Sequence, residues 1–179
     1  MAAMTGVPPE RQGVAMESLR AVGRGAVAGL IATLAMSVPM LAATKSGIVQ
    51  RQAPAQLTDR ILQRTGLADD IKDEDTRDAL AVANHLAFGA GGGAIFGLLS
   101  RHLPPSVPRV AAGMAYGAMI WTVSYAGWAP ALRLMPAPED DEPARPALML
   151  GAHLVYGAVL GALTPARKPA SPLPATGGD

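Results

Sequence analysis

The chain has 179 residues, of which 50% are hydrophobic and only 16% charged, whereas a soluble domain carries roughly 25% charged residues. This composition excludes a disordered chain and an ordinary soluble enzyme, and the absence of cysteine excludes thiol catalysis, c-type haem, iron–sulfur clusters and cysteine-based zinc sites. The net charge of +1 gives no basic field that would attract nucleic acid.

Four uncharged runs are long enough to cross a bilayer, which takes roughly 20 helical residues for about 30 Å of hydrocarbon. They lie at about 25–43, 79–100, 110–132 and 147–164. The remaining polar sequence is too short to cover four apolar helices, so we predict an all-α polytopic membrane protein whose partner is the lipid bilayer. The predicted organisation is a cytoplasmic tail at 1–24, a four-helix transmembrane domain at 25–165 and a disordered tail at 166–179. Protein partners and oligomeric state stay open.

The orientation follows from the basic residues, because short basic segments resist translocation. Arginine and lysine outnumber acidic residues in the amino-terminal tail, in the loop between the second and third runs and in the carboxy-terminal tail, where Arg167 and Lys168 lie. The first and third loops carry acidic clusters, at 69–75 and 139–142. Both termini are therefore predicted to be cytoplasmic, and these two loops extracytoplasmic.

A short amphipathic helix is predicted in the first loop. Pro54 favours a helix start and Gly66 a helix end, and Leu57, Ile61 and Leu62 recur at helical spacing between them. We expect this helix to lie on the membrane surface or on the bundle.

The second and fourth runs resemble each other. The segment 85–94 aligns without gaps on 153–162, with six identities in ten positions that include His85 and His153. We therefore predict a Gly-rich bundle of two parallel two-helix repeats. Small residues spaced four apart let membrane helices approach closely, and the predicted packing positions are Gly25, Gly29, Gly89, Gly93, Gly97, Gly113, Gly117, Gly157 and Gly161. The same stripes continue outward into larger or polar groups, so the bundle is predicted to be narrow at its cytoplasmic side and wider outside.

Ionisable side chains inside a membrane usually face the bundle interior. The candidate intramembrane polar site consists of His85, His153, Tyr116, Tyr125, Trp121 and Ser37. Three hypotheses remain open: neutral histidines that form hydrogen bonds across helices to Tyr116, Tyr125, Thr33, Ser37 or Asn84, a b-type haem with both histidines as axial iron ligands, or a ligand or proton site in a transporter-like protein.

The third run and its exit, residues 125–138, contain a Gly-Trp-x-Pro and a Met-Pro pattern, and an intramembrane histidine follows at His153. This last third of the chain resembles the YagU-like group of small bacterial inner-membrane proteins. The resemblance implies a bacterial cytoplasmic membrane location and a possible stress role, and carries over no catalytic residue. No phosphate loop, zinc-binding helix or nucleophile elbow occurs. We therefore predict a non-enzymatic membrane protein without a cofactor, with a b-type haem protein or a small transporter or channel subunit as the alternatives.

Overall fold

The computed structural model describes residues 9–164, and this part of the chain consists of helices and turns without a β-strand. The helices are α1 Pro9–Lys45, α2 Ala53–Thr65, α3 Glu74–Leu99, α4 Arg109–Val123, α5 Ala129–Ala131 and α6 Arg145–Leu163. A 3₁₀ turn, Ser100–His102, follows α3, and a π-helical turn, Ser124–Trp128, joins α4 to α5. The tail predicted to be disordered, with Arg167 and Lys168, lies outside the described residues.

Three helices are long and apolar enough to cross a membrane, namely Arg11–Lys45, Glu74–His102 and Arg145–Leu163. They contain three of the four predicted runs. Helix α1 begins at Pro9, well inside the segment 1–24 that was predicted as an amino-terminal tail. Most of that segment therefore belongs to the same helix as the first apolar run. The remaining run, 110–132, is divided among α4, the π-helical turn and α5. Pro130 has no backbone N–H to donate one turn back, which disfavours a regular α-helix at this point.

Glycines bring α1 and α3 into backbone contact. A Cβ atom placed on Gly25 would fall on the carbonyl oxygen of Gly93, and one placed on Gly29 would fall on that of Gly89. A Cβ atom on Gly97 would likewise fall on the Ala21 carbonyl. Since no side chain separates these backbones, the two helices touch directly through their main chains.

Helices α4 and α6 approach each other in the same way. A Cβ atom on Gly113 would fall on the carbonyl oxygen of Gly157, and one on Gly117 would fall on that of His153. At the other end of this contact, Gly161 faces the backbone of Arg109. Both pairs are thus held together by glycine at the positions where the sequence places it.

Two tyrosines connect the two helix pairs. The hydroxyl of Tyr116 in α4 donates to the carbonyl oxygen of Gly92, and that of Tyr156 in α6 donates to the carbonyl of Gly89, both at 2.8 Å. The ring of Tyr116 also packs on Phe96, with centroids 5.2 Å apart. The glycines of α3 therefore have a second role, because they leave its carbonyl groups accessible to phenol side chains.

The first loop contains the predicted amphipathic helix. Pro54 lies in the first turn of α2, and Gly66 ends it with a φ of 76°, a left-handed conformation that favours glycine. Asp73 caps α3, accepting hydrogen bonds from the Thr76 hydroxyl at 2.6 Å and the Thr76 backbone N–H at 2.9 Å. These bonds, the hydroxyl first, hold the pKa of the Asp73 carboxyl below its ordinary value. The second apolar helix therefore begins at a side-chain cap within the acidic cluster.

Candidate functional site

A cavity of about 490 Å³ adjoins one end of the glycine contacts between α1 and α3, where Thr33 and Gly89 form part of its wall. It is bounded by α1, α3, the turn after α4, and α6, and the amphipathic helix α2 covers part of it. This volume is within the range of small-molecule sites. That the cavity lies on the extracytoplasmic side, as the sequence predicts for the wider end of the bundle, stays a prediction.

The cavity wall is mostly apolar. Its larger apolar side chains are those of Met36, Met40, Leu57, Ile61, Phe88, Ile120, Trp128, Met135 and Met149. Its polar side chains are those of Thr33, Ser37, Gln52, Thr58, Asn84, His85, Ser124, Tyr125, His153 and Tyr156. Among the described residues that line it there is no Asp, Glu, Lys or Arg. Four methionines make the wall adaptable in shape, since thioether side chains fit irregular spaces.

The two histidines line this cavity but have different surroundings. The Nδ1 atom of His153 lies 2.8 Å from the carbonyl oxygen of Met149, and because a carbonyl only accepts, Nδ1 carries the proton. No hydrogen bond within residues 9–164 reaches the other ring nitrogen of His153 or either nitrogen of His85. The hydrogen bond of His153 thus stays within α6, whereas Tyr116 and Tyr156 donate hydrogen bonds to another helix.

The glycine contacts fix which residues lie against each other within each helix pair. Gly93 lies opposite Gly25, and Gly157 lies opposite Gly113. His85 of α3 and His153 of α6 both line the cavity.

The other predicted site residues fall into two groups. Ser37 and Tyr125 line the cavity together with the histidines. Tyr116 and Trp121 do not line it: Tyr116 packs between α3 and α4, and the Trp121 ring stacks on Tyr125 with centroids 5.8 Å apart. The buried indole nitrogen of Trp121 has no hydrogen-bond partner among the described residues.

A buried polar cluster, which the sequence analysis did not find, lies beside the cavity. The Arg145 side chain is 1% exposed, and its Nε atom is 3.0 Å from Oδ1 of Asp141, whose side chain is 4% exposed. The hydroxyl of Tyr125 donates to the other Asp141 oxygen at 2.6 Å. Glu142 also pairs with Arg145, at 2.5 Å. One wall residue of the cavity is thereby joined to a buried ion pair.

The same cluster holds the chain that leads into α2. Arg145 donates from a terminal guanidinium nitrogen to the carbonyl oxygen of Arg51 at 2.9 Å, and the backbone N–H of Gln50 donates to Glu142 at 3.2 Å. Helix α2 begins two residues later, and Ala53 is buried in its first turn. The cluster therefore fixes the position of the helix that covers the cavity.

No group of three or more histidine, cysteine or carboxylate side chains suited to a metal ion occurs in the described part of the chain. Two histidines in one cavity could still serve as axial ligands of a haem iron. The haem propionates would then need cationic or other polar partners. The described wall offers neutral polar side chains but no lysine or arginine.

The comparisons with known proteins identify a family but no activity. A family model described as a family of unknown function, DUF6789, matches residues 19–171, a range that covers all of α2 to α6 and most of α1. No curated protein matches the chain, and no solved structure matches it.

Proposed function

The chain belongs to the DUF6789 family, whose function is unknown, and we propose from the geometry of its own residues that it is a non-enzymatic integral membrane protein that binds a small lipid-soluble molecule. The single observation that carries this proposal is the cavity of about 490 Å³ with its uncharged wall. The resemblance to the YagU-like group adds the bacterial cytoplasmic membrane as the proposed location and a stress-related role.

Exposed apolar side chains support the membrane location. On α1 alone, Leu34 is 59% and Val38 67% exposed. Contiguous apolar surface of this kind is costly in water and is normal against lipid. The three helices that are long and apolar enough to cross a membrane support three of the proposed crossings.

We propose a fourth crossing at 109–131. Helical segments of 15, 5 and 3 residues follow one another there without a break, and together they exceed the roughly 20 residues that a crossing requires. Close glycine contacts in both α1–α3 and α4–α6 support two parallel two-helix units. The proposed orientation has both termini in the cytoplasm and the cavity in the extracytoplasmic half of the bilayer.

Reporter fusions test this topology. Alkaline phosphatase, which is active only outside the cytoplasm, should be active when fused at Pro54 and at Glu142 and inactive when fused after Lys168. Green fluorescent protein at the same three sites should give the reverse pattern. An odd number of crossings would contradict the proposal.

The opening of the cavity favours a ligand that arrives from the lipid. Phe88 lines the cavity and is 54% exposed, and Asn84 and Ile61 are likewise both wall residues and surface residues. The opening thus lies beside α3 and the edge of α2. An amphipathic helix at the membrane surface would place such an opening near the boundary between lipid and water.

Energy transfer from tryptophan to a pyrene probe tests the binding. Trp128 lines the cavity, so 1-hydroxypyrene bound there should accept energy from it in a saturable manner, with the protein in lipid nanodiscs. Ala152 also lines the cavity and is 1% exposed, so Ala152→Phe should remove the saturable signal by filling the space.

Gly151→Phe is the matched control, because the same side chain is added one position away, where nothing lies within 4 Å. This variant should bind like the wild type. Equal binding by both variants would show that the probe only dissolves in the lipid. A haem Soret band in protein purified from haem-replete cells would instead favour the b-type haem alternative with His85 and His153 as ligands.

A further inference from the structure

We propose that the ligand carries a hydroxyl group that donates a hydrogen bond to Nε2 of His153, so that alcohols or phenols with an apolar body are the class bound. This inference rests on the proposed function, since it names the chemistry of the molecule in that cavity. It follows from the direction of each hydrogen bond in the wall.

The His153 ring is fixed by a bond within its own helix. Its Nδ1–H donates to the carbonyl oxygen of Met149 at 2.8 Å. In the neutral imidazole, Nε2 is then an acceptor. No carboxylate lines the described wall to stabilise a second proton on the ring, and no described residue donates to Nε2. The ring therefore presents an unpaired acceptor.

Five of the six hydroxyl groups in the described cavity wall already donate a hydrogen bond within the protein. Four of them donate to backbone carbonyl groups at 2.6 to 2.8 Å, and these are the hydroxyls of Thr33, Ser37, Ser124 and Tyr156. The fifth, on Tyr125, donates to Asp141. Each of these oxygens can still accept a hydrogen bond. This part of the wall is consequently rich in acceptors.

A ligand that only accepts hydrogen bonds, such as an ether or a ketone, would leave these acceptors unpaired, which is costly in an apolar site. A hydroxyl group can donate to His153. Its oxygen can also accept, and the Thr58 hydroxyl on α2 and the Asn84 amide at the opening have no hydrogen-bond partner within residues 9–164. A hydroxyl therefore matches both kinds of group in the wall.

The test compares 1-hydroxypyrene with 1-methoxypyrene in the wild-type protein. These probes share the same ring system, but only the first donates a hydrogen bond. We expect the hydroxyl probe to bind about tenfold more tightly, measured by energy transfer from Trp128 with the signal of Ala152→Phe subtracted. In His153→Phe the two probes should bind with equal affinity. The matched control His102→Phe, at an exposed position in the turn after α3, should keep the preference for the hydroxyl probe.

A second readout needs no variant. Excited 1-hydroxypyrene is a much stronger acid than the ground-state probe and can transfer its proton to a directly hydrogen-bonded base, so the probe bound at Nε2 should show pyrenolate emission. Equal affinity of the two probes would overturn the inference and leave the cavity proposal intact. A preference that survives in His153→Phe would also overturn it. Absence of saturable binding by either probe would overturn both proposals.

Discussion

Replacement of Arg145 by methionine is expected to lower the free energy of unfolding by about 3–5 kcal/mol, the usual cost of removing one partner from a buried ion pair. Asp141 would keep its hydrogen bond from Tyr125 but would lose the guanidinium, with a side chain only 4% exposed. The change should appear as a lower midpoint of thermal unfolding in detergent.

Two further variants make this expectation specific. Arg60 lies on an exposed part of α2, and Arg60→Met should leave the midpoint nearly unchanged. The double variant Asp141→Asn with Arg145→Met should be less damaged than Arg145→Met alone, because the buried carboxylate of Asp141 is then not left without a cation, while Glu142, 32% exposed, can be solvated. If Arg145→Met were no more harmful than Arg60→Met, the ion pair would not stabilise the fold.

The loss of Arg145 should also weaken binding in the cavity. Arg145 holds the Arg51 carbonyl at the entrance to α2, and Leu57 and Thr58 of that helix form part of the wall. Greater mobility of α2 would open one side of the site to solvent. The same substitution therefore connects stability to function through a contact that lies outside the cavity itself.

The helices could be predicted because their signals are local. Pro54 and Gly66 bracket α2, and the uncharged runs coincide with long helices at α1, α3 and α6. The close glycine contacts also occur where four-residue spacing suggested, since that spacing repeats along one face of a helix. What the sequence pattern did not supply was the register between helices.

The pairing of glycines between helices depends on contacts between backbones. Four-residue spacing predicts which face of a helix packs, but it does not say which glycine of one helix lies against which residue of its neighbour. The structure places Gly25 against Gly93 and Gly113 against Gly157.

The polar cluster was missed for a different reason. Asp141, Glu142 and Arg145 occur in a charged segment that indicated a solvated loop, and charge alone does not reveal which members of such a segment are buried. Burial here results from long-range contacts with Tyr125 and the Arg51 carbonyl. One signal for ion pairing was available in the sequence. Asp141 and Glu142 precede Arg145 by four and three residues, the spacings at which side chains pair along a helix.

A single added methyl group should have opposite effects on stability at two nearby glycines of α3, Gly93 and Gly91. Gly93→Ala would place a Cβ atom against the carbonyl oxygen of Gly25 and 2.6 Å from the Cα atom of Gly29. Both are backbone atoms of α1, which cannot rotate away as a side chain could. Overpacking of this kind typically costs about 1–3 kcal/mol, so the midpoint of thermal unfolding should fall clearly.

Gly91→Ala adds the same methyl group two residues earlier in α3, where nothing lies within 4 Å. Alanine is favoured over glycine within a helix by about 1 kcal/mol in water, so this variant should be as stable as the wild type or slightly more so. The opposite signs separate helix contact from helix propensity, because propensity is common to both substitutions. Equal stability of the two variants would mean that α1 and α3 do not touch at Gly93, and the close packing that keeps this end of the bundle narrow would have to be abandoned.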